Sequence, residues 1–461
     1  MNGLDVFCKG ANWIPPDALP QRESREKLEH LLESARGAHM NMLRIWGGGR
    51  YETDGFYSMC DEKGIMIWQD MMFSCALYPS TPGFLANVER EIRHQVKRLR
   101  DHPSIALWCG NNEDVGALTW FAESRKNRDR YIVDYDRLNE GVIGRVIDEC
   151  DPTRTFWPSS PSAGRGDYSD NWHDDRRGDM HYWSVWHESK AFSAYYDVAP
   201  RFCSEFGYQS FPSVRTVRTY AKEEDLNVTS PVMEHHQRSP RGNAAITEMF
   251  TRYFRMPEGF ESFVYLSQVQ QALAIKTAVE YWRTLRPRCM GTLYWQLNDN
   301  WPVCSWSSVE YDGTWKLLHY VARRFYAPVL LCACLKDGRV EVSLVNDLPA
   351  ETRCRATIAV VAFSGKVLNK ESHDVRAAAG SARRVKTWAL KDLAPSPDAA
   401  FLHLALERDG ETTFNELFLT EPKRAPLEPA RVTVEVEGTK GGFSVRLSTD
   451  APAFYTALDA G

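Results

Sequence analysis

Several features that would assign this sequence to a simple class are absent from it. No apolar run approaches the roughly 20 residues that a membrane-spanning helix needs, and the longest obvious run, residues 329–335, ends at Lys336. The 461 residues carry 56 Lys and Arg against 61 Asp and Glu, a formal net charge of -5. The strongly basic surface that phosphate backbones select is therefore missing. Neither a membrane nor a nucleic acid is predicted as a partner.

The cysteines follow no disulfide or metal pattern. There are 11 of them, scattered and odd in number, with no CxxC and only one close pair, Cys332 and Cys334. Neither a disulfide framework nor a zinc ribbon is indicated. The first residues also lack a basic region followed by an apolar core, so no signal peptide is visible. We therefore expect a reducing compartment and a cytoplasmic location.

The beginning of the sequence is typical of a turn rather than of a first element. Asn2-Gly3 is a common hairpin pair, and its first strand would precede residue 1. We interpret the sequence as one that begins inside a larger protein.

Tryptophan usage divides the chain. Of the 15 tryptophans, 14 precede residue 320 and Trp388 alone follows. This asymmetry predicts a domain boundary near residues 320–328. Ahead of it, residues 28–35 and 85–99 show apolar positions at helical spacing. Between such helical segments lie eight strand-like runs, at residues 7–13, 41–46, 65–70, 105–109, 155–158, 180–183, 202–206 and 291–297.

Eight alternating strands and helices are the number of a (β/α)8 TIM barrel, which we predict for residues 1–327. After residue 328 the pattern changes to short alternating runs such as Val340–Val345 and Val432–Val436, separated by Gly, Pro and Asp turns. These runs predict an immunoglobulin-like β-sandwich over residues 328–422. Residues 423–461 are predicted to begin a second, incomplete β-domain.

Two glutamates close apolar strand-like runs. Glu113 ends the segment Ser104-Ile-Ala-Leu-Trp-Cys-Gly-Asn-Asn-Glu, and Glu205 lies in Arg201-Phe-Cys-Ser-Glu-Phe-Gly. Strands of a TIM barrel present catalytic groups at their C-terminal ends. Two carboxyl groups presented from different strands can form the acid and nucleophile pair of a glycosidase.

Six motifs together resemble the catalytic barrel of the β-mannosidases in glycoside hydrolase family 2. They occur in the family's order, over residues 9–17, 44–49, 108–113, 181–186, 204–212 and 291–302. The resemblance covers residues 2 to about 325 and continues more loosely into the family's C-terminal β-domains. It implies a retaining, exo-acting enzyme that hydrolyses terminal non-reducing β-mannose residues.

The resemblance also implies roles for individual residues. Glu113 matches the family's general acid/base and Glu205 matches its nucleophile. Asn112 matches the asparagine that binds the sugar 2-hydroxyl. Among the remaining matches, Arg44 and Tyr182 resemble the groups that orient the nucleophile, and Trp46 and Trp295 resemble walls of the nonreducing-end subsite. A protonated acid beside an ionised nucleophile requires unlike surroundings for the two carboxyls, and an arginine beside the nucleophile would supply the difference.

Each of these residues also has an ordinary structural explanation. Glu113 could open a helix, Arg44 could form a structural ion pair, and Tyr182 and the tryptophans could belong to the core. Clusters at residues 173–175 and 235–236 contain histidine, but neither has a clear third ligand. Residues 47–49, Gly-Gly-Gly, lack the spacing of a phosphate-binding loop. We predict no metal and no cofactor.

One departure from the family concerns the region ahead of the barrel. Family members carry two β-domains there, one of which contributes a loop to the active site, and this sequence has neither. Two alternatives therefore stay open: an inactive or weakly active fragment that binds sugars, and a β-galactosidase or β-glucuronidase of the same family. The surface against which the absent domains would dock predicts self-association.

Overall fold

A computed structural model of the chain describes residues 3–394, 396–439 and 441–458. Its internal contacts divide the chain into two units. One comprises the chain up to Ile246 together with Gly259–Ala327, and the other comprises Thr247–Glu258 and the chain from Pro328 onward. The hairpin turn predicted at Asn2-Gly3 includes Asn2, which lies outside the described residues.

The first unit is built on eight parallel strands. In chain order they are β1 Cys8–Trp13, β2 Met42–Ile45, β3 Met66–Asp70, β4 Ile105–Cys109, β5 Thr155–Trp157, β6 Met180–His181, β7 Cys203–Glu205 and β8 Gly291–Tyr294. Their order across the sheet is β5-β4-β3-β2-β1-β8-β7-β6. Each strand falls within one of the eight predicted runs, and the predicted α/β class with a (β/α)8 barrel is confirmed.

Thirteen helices accompany these strands in the described part of the unit and at its junction with the second. They are α1 Arg25–Gly37, α2 Asp54–Lys63, α3 Pro82–Leu99, α4 Asp114–Trp120, α5 Ala122–Lys126, α6 Arg128–Leu138, α7 Arg145–Cys150, α8 Ser184–His187, α9 Val214–Val217, α10 Pro231–His235, α11 Gly242–Tyr253, α12 Phe260–Thr284 and α13 Leu317–Phe325. None of the helices in the described residues combines the length and apolar character needed to cross a bilayer.

Local sequence sets the ends of the helices that follow β1 and β2. The Ser24 hydroxyl accepts from the amide of Lys27 at the start of α1, and Thr53 caps α2 in the same way through the amide of Phe56. Gly64 ends α2 with φ 68, a left-handed conformation that glycine adopts without a steric penalty. These caps fix where each helix begins or stops, and so where the next strand enters the sheet.

The step from β5 to β6 differs from the other steps around the barrel. Every other neighbouring pair of strands shares a parallel ladder, whereas the described backbone hydrogen bonds form none between β5 and β6. Here a buried side chain, Asp179, accepts from the Trp157 indole at 2.8 Å and from the Ser162 amide at 2.9 Å. A carboxylate just ahead of β6 therefore links that strand to the end of β5.

Within the described residues, the second unit contains the last residues of α11, 247–253, and from Pro328 onward it is all β apart from α14 Leu390–Leu393 and short turns. Its strands are β9 Val329–Lys336, β10 Arg339–Asn346, β11 Thr352–Ala362, β12 Val367–Ala377, β13 Ser381–Ala389, β14 Ala400–Arg408, β15 Glu411–Phe418, β16 Val432–Thr439 and β17 Gly442–Thr449. Antiparallel sheets of order β13-β10-β9 and β12-β11-β14-β15 enclose one apolar core. This is the sandwich arrangement that the alternating runs predict.

The last two strands form a separate hairpin. β16 and β17 pair antiparallel over Val432–Thr439 and Gly442–Thr449, and all of their described residues are exposed. The prediction that residues 423–461 begin a further domain stays a prediction.

Candidate active site

Arg44, at the third position of β2, lies at the centre of a buried polar cluster. Each of its five N–H donors has an acceptor: Nε and Nη2 donate to Asp70 at 3.3 and 2.8 Å, Nη1 to Asn12 at 2.9 Å and Glu205 at 2.5 Å, and Nη2 to Asn112 at 2.7 Å. The side chain has no exposed surface. Burial acts to lower the pKa of Arg44, but Asp70 and Glu205 outweigh it and the pKa is raised. The guanidinium is a fixed positive charge.

Glu205 ends β7 and points into this cluster. Its Oε1 accepts from Arg44, and its Oε2 lies 3.4 Å from Nδ1 of His181. Burial raises the pKa of the Glu205 carboxyl, while His181 and then Arg44 act in the opposite direction. A short charge-assisted hydrogen bond of this kind favours the ionised carboxylate.

Glu113 follows β4 and holds the residue position just ahead of α4, with φ 62 and ψ 13. A glutamate rarely adopts this left-handed conformation, and such residues cluster at functional sites. Its amide donates to the Ser160 carbonyl at 2.9 Å, its Oε1 lies 2.7 Å from Nδ1 of His181, and its Oε2 accepts from the Cys75 thiol at 3.4 Å. Burial raises the pKa of Glu113 to about 7, against the opposing effects of Cys75 and Arg44.

The two carboxyls are close neighbours with unlike surroundings. One oxygen of Glu113, one oxygen of Glu205 and one nitrogen of His181 all lie within 4.8 Å of one another. The Glu205 carboxyl accepts a hydrogen bond from the Arg44 guanidinium, whereas the Glu113 carboxyl contacts the Cys75 thiol and the His181 imidazole. The geometry can support an acid and a nucleophile acting on one reacting centre.

The same three residues offer a metal ion three ligand atoms. Ligand atoms around one tetrahedral zinc, with bonds of about 2.0–2.2 Å, stand roughly 3.4 Å apart. Glu113 Oε1 and His181 Nδ1 are 2.7 Å apart, which is a hydrogen-bond distance. The trio as it stands is hydrogen-bonded rather than arranged around a cation.

His181 is the contact that the sequence analysis missed. It ends β6, is fully buried, and pairs with Glu205 in the β6–β7 ladder, which brings both side chains to the same level. Burial lowers the pKa of His181 to about 4, so the ring is neutral near pH 7. A signal existed: a histidine at the end of a predicted barrel strand is a polar group at the face where catalytic residues lie.

Asn12 and Asp70 were missed in the same way. Asn12 lies within β1 and donates to the Ser204 and Leu293 carbonyls, while its own carbonyl accepts from Arg44. Asp70 ends β3 and also accepts from the Gly47 amide at 3.0 Å. Gly47 is needed there, because a Cβ would come within 2.5 Å of the Phe73 carbonyl oxygen. The Gly-Gly-Gly run therefore serves a close backbone approach.

Of the other predicted substrate-binding residues, Asn112 shares the Arg44 cluster, and Trp46 and Trp295 follow the C-terminal ends of β2 and β8. Asn112 is buried, accepts from Arg44 and lies 3.2 Å from the Ser74 hydroxyl. Trp46 and Trp295 are each half-buried and meet edge to face, with ring centroids 5.0 Å apart. Two partly exposed indole rings at the ends of β2 and β8 can offer apolar surface to a sugar.

Tyr182 occupies a different position from the one its predicted role requires. Its hydroxyl donates to the Ala194 carbonyl at 2.9 Å, and its ring packs against Tyr195 and Trp282. Among the described hydrogen bonds, the one that joins it to Glu205 is a backbone bond, from its amide to the Glu205 carbonyl at 2.8 Å. The side chain that meets the Glu205 carboxyl from this strand is His181, the residue before it.

The chain is similar in sequence and in fold to known β-mannosidases. Residues 338–424 match the mannosidase Ig/CBM-like domain. A β-mannosidase from Capra hircus is 37% identical over 491 residues, covering 100% of this chain and 56% of that protein. The solved structure of a β-D-mannosidase from Dictyoglomus thermophilum superposes with a TM-score of 0.91 at 35% identity, covering 98% of this chain and 55% of that one.

This chain belongs to the β-mannosidase family. It spans about half the length of the curated β-mannosidases it matches. An exo-chitosanase from Amycolatopsis orientalis, at 14% identity and a TM-score of 0.74 over 98% of this chain and 56% of that one, shares the fold. The β-mannosidase family thus accounts for both the barrel and the sandwich that follows it.

Proposed function

We propose that the chain carries the active site of a retaining exo-β-mannosidase, which releases a terminal non-reducing β-mannose residue from an oligosaccharide or glycan. The observation that carries the proposal is the approach of Glu113 and Glu205, each through one oxygen, to within 4.8 Å at the C-terminal ends of β4 and β7. Retaining glycosidases hold their two carboxyls about 5–5.5 Å apart, whereas inverting enzymes leave a wider gap for water.

The proposed reaction has two steps. Glu113 donates its proton to the glycosidic oxygen while the Glu205 carboxylate attacks the anomeric carbon, so an ester bond forms as the glycosidic bond breaks. Water then attacks the same carbon. Glu113 removes its proton, the ester bond breaks, and mannose leaves in the β configuration.

The surroundings of each carboxyl support this division of roles. A pKa of about 7 keeps Glu113 protonated in a large fraction of molecules at neutral pH, as the first step requires. Arg44 donates to Glu205 at 2.5 Å and favours its ionised, nucleophilic form. His181, neutral and wedged between them, adds no positive charge that would remove the proton from Glu113.

Support for mannose as the sugar comes from the relatives, which are named β-mannosidases, and from the motifs around Trp295 and Glu205. The rings of Trp46 and Trp295, which meet edge to face, support the proposal that they form an apolar wall. We therefore propose Trp46, Asn112 and Trp295 as substrate-binding residues beside the catalytic pair.

The test is a release assay on the 461-residue chain with aryl β-mannoside, β-galactoside and β-glucuronide. We expect release from the mannoside alone, with β-mannose as the first product seen by NMR, and none from Glu205→Gln. Faster release from either other sugar would change the substrate class. An α-mannose first product would replace retention by inversion, and no release from any of the three would favour a sugar-binding fragment.

A further inference from the structure

A chain of hydrogen bonds runs from Glu113 to a second buried carboxylate. Nδ1 of His181 lies 2.7 Å from Glu113 Oε1, and Nε2 lies 3.0 Å from the Ser160 hydroxyl. The Ser160 hydroxyl in turn lies 2.7 Å from Oδ2 of Asp179. His181, Ser160 and Asp179 are all buried, so no bulk water competes for these contacts.

The direction of the chain is set at Asp179. Its Oδ1 accepts from two donors that cannot reverse, the Trp157 indole and the Ser162 amide. Its Oδ2 is approached by the hydroxyls of Ser160 at 2.7 Å and Ser204 at 2.5 Å. An ionised carboxylate can only accept, so both hydroxyls must point their protons at Asp179.

This assignment determines the state of the imidazole. Ser160 has one proton and gives it to Asp179, so its oxygen must accept from Nε2–H of His181. In a neutral ring the other nitrogen then carries no proton. Nδ1 of His181 is left as an acceptor, 2.7 Å from a Glu113 oxygen. The only proton that can stand between them is one that belongs to Glu113.

We propose, on the basis of the function proposed above, that Asp179 and Ser160 are positioning residues which fix the tautomer of His181 and thereby keep the acid proton on Glu113. The proton positions are assigned from the network for a neutral ring, because a proton on Nδ1 instead of Nε2 would leave Nε2 and the Ser160 oxygen facing each other as two acceptors without a proton. A doubly protonated ring would satisfy the same contacts, but the complete burial of His181 disfavours the charged imidazolium. The pKa values of Glu113, about 7, and of His181, about 4, agree with this assignment.

The backbone around Asp179 is built to hold it in place. Gly178 has φ 62, and a Cβ there would stand 1.8 Å from the Ser162 carbonyl oxygen. The Asn171 amide donates to the carbonyls of Arg177 and Asp179 at 2.9 and 2.8 Å. The approach of the loop to the end of β5 therefore depends on a glycine at that position.

Other titratable groups also act on the charge of Glu113 and His181, and a test of the relay must leave these groups unchanged. The groups that act on the charge of Glu113 or His181 are Arg44, Cys75, Asp170, His173, His187 and Glu205. None of them contacts Ser160 or Oδ2 of Asp179 in the described hydrogen bonds. Substitutions at Asp179 and Ser160 therefore change the relay without altering these groups.

Asp179→Asn is the sharpest variant, because its effect can be derived in advance. The two fixed donors at Oδ1 require the amide oxygen there, so the amide NH2 takes the place of Oδ2 and donates to Ser160. The Ser160 proton then goes to Nε2 of His181, the nearer acceptor at 3.0 Å, rather than to the Ser204 hydroxyl at 3.2 Å, which moves the ring proton to Nδ1. A donor at Nδ1 favours an ionised Glu113, and the acid is lost.

Two measurements on the full 461-residue chain test this. Nitrogen-15 NMR of labelled histidine, with the His181 signal assigned by its loss in His181→Gln, should show a neutral Nε2–H ring in the wild type and a neutral Nδ1–H ring in Asp179→Asn. In the same variant, turnover of an alkyl β-mannoside should fall about 10²-fold, since that leaving group needs general acid assistance. Turnover of dinitrophenyl β-mannoside should fall much less.

Asp151→Asn is the matched control. Asp151 accepts from the Trp108 indole and the Thr153 hydroxyl, each at 2.9 Å, but precedes β5 at the other end of the strand. It should leave both the tautomer and the leaving-group dependence unchanged. A wild-type Nδ1–H or doubly protonated ring would overturn the proposal, as would an Asp179→Asn protein with unchanged tautomer and unchanged leaving-group dependence.

Ser160→Ala keeps the proposal testable if Asp179→Asn does not fold. It removes the acceptor of Nε2–H, so His181 should show a mixture of tautomers, and the basic limb of the pH profile should move to lower pH. If neither changes, the relay is refuted. Because the NMR reading needs no turnover, a chain that hydrolyses no mannoside yet shows the two tautomers would reject the proposed function and retain the relay.

Discussion

Arg44 donates to Glu205 across 2.5 Å, although 161 residues separate them in the chain. The same guanidinium binds Asp70 through two nitrogens, so one buried cation serves two buried carboxylates. Both carboxylates lose their positively charged partner when Arg44 is removed.

Arg44→Met should therefore lower the free energy of unfolding by about 3–5 kcal/mol, since breaking a buried ion pair leaves an uncompensated charge. Urea unfolding followed by tryptophan fluorescence measures this in the barrel, which holds nearly all the tryptophans. Arg93→Met, which removes partly exposed ion pairs with Glu89 on α3 and Glu149 on α7, is the control and should have a much smaller effect. Equal losses would contradict the central role of Arg44.

The roles of the two glutamates predict opposite azide products. Glu113→Ala with azide should give β-mannosyl azide, because azide takes the place of the second-step water and needs no base. A Glu205 variant, Glu205→Ala, should give α-mannosyl azide, because azide then replaces the nucleophile. NMR of the two products decides the assignment, and exchanged products would reverse it.

Turnover should depend on the protonation of Glu113. Its pKa is raised to about 7, and the acid form is the active one in the first step. We expect kcat/KM for alkyl mannosides to fall about tenfold per pH unit above that pH, and to fall again at acid pH where the Glu205 carboxylate becomes protonated. A profile that stays level to pH 9 would rule out Glu113 as the acid.

The raised pKa of Glu113 should also make the free energy of unfolding decrease as the pH rises. Glu113 has a folded pKa of about 7 against an ordinary value of 4.5, so the folded state favours the protonated form. The contribution of Glu113 to the free energy of unfolding is fully present below pH 4.5 and is lost as the pH rises through about 7. Glu113→Gln should flatten the loss of unfolding free energy between these values, measured by urea unfolding at several pH values. An unchanged slope would contradict the raised pKa.

The exposed face of the last hairpin predicts association. Val432, Val434 and Val436 of β16 share one face with Phe443, Val445 and Leu447 of β17, and all six are exposed. Exposed apolar faces of this kind favour contact between copies. Replacing Val434 and Phe443 by Lys should lower the mass seen by light scattering, whereas Lys at Thr433 and Ser444, on the opposite face, should not. Equal masses in both pairs would place the contact elsewhere.

The sequence predicts the strands better than it predicts the cluster they build. Runs such as residues 105–109 are apolar enough to show a buried strand, and Glu113 and Glu205 stand out because they end such runs. Asn12 and Asp70 sit within or at the end of their strands, and nothing in a single sequence says which face of the sheet each one occupies. Their partners come from strands far along the chain, so only the closed barrel shows that they meet.

Tyr182 was predicted to contact the Glu205 carboxyl, and its neighbour His181 makes that contact for a similar reason. Adjacent residues at the end of a strand point to opposite faces, so an error of one position moves the assignment from the site to the core. Asp179 and Ser160 lie at the ends of a long loop, where periodicity carries no information. Their contact could not be predicted without the path of that loop.

Asp179 connects two properties that are usually engineered separately. It holds β6 to the end of β5 at the step without a backbone ladder, and it also orients the proton relay. Buried charges can often be exchanged for well-packed apolar groups with a gain in stability. At Asp179 such an exchange could raise the stability of the barrel, but it would remove the proton relay and with it the activity. Substitutions made to increase thermostability should therefore leave Asp179 unchanged.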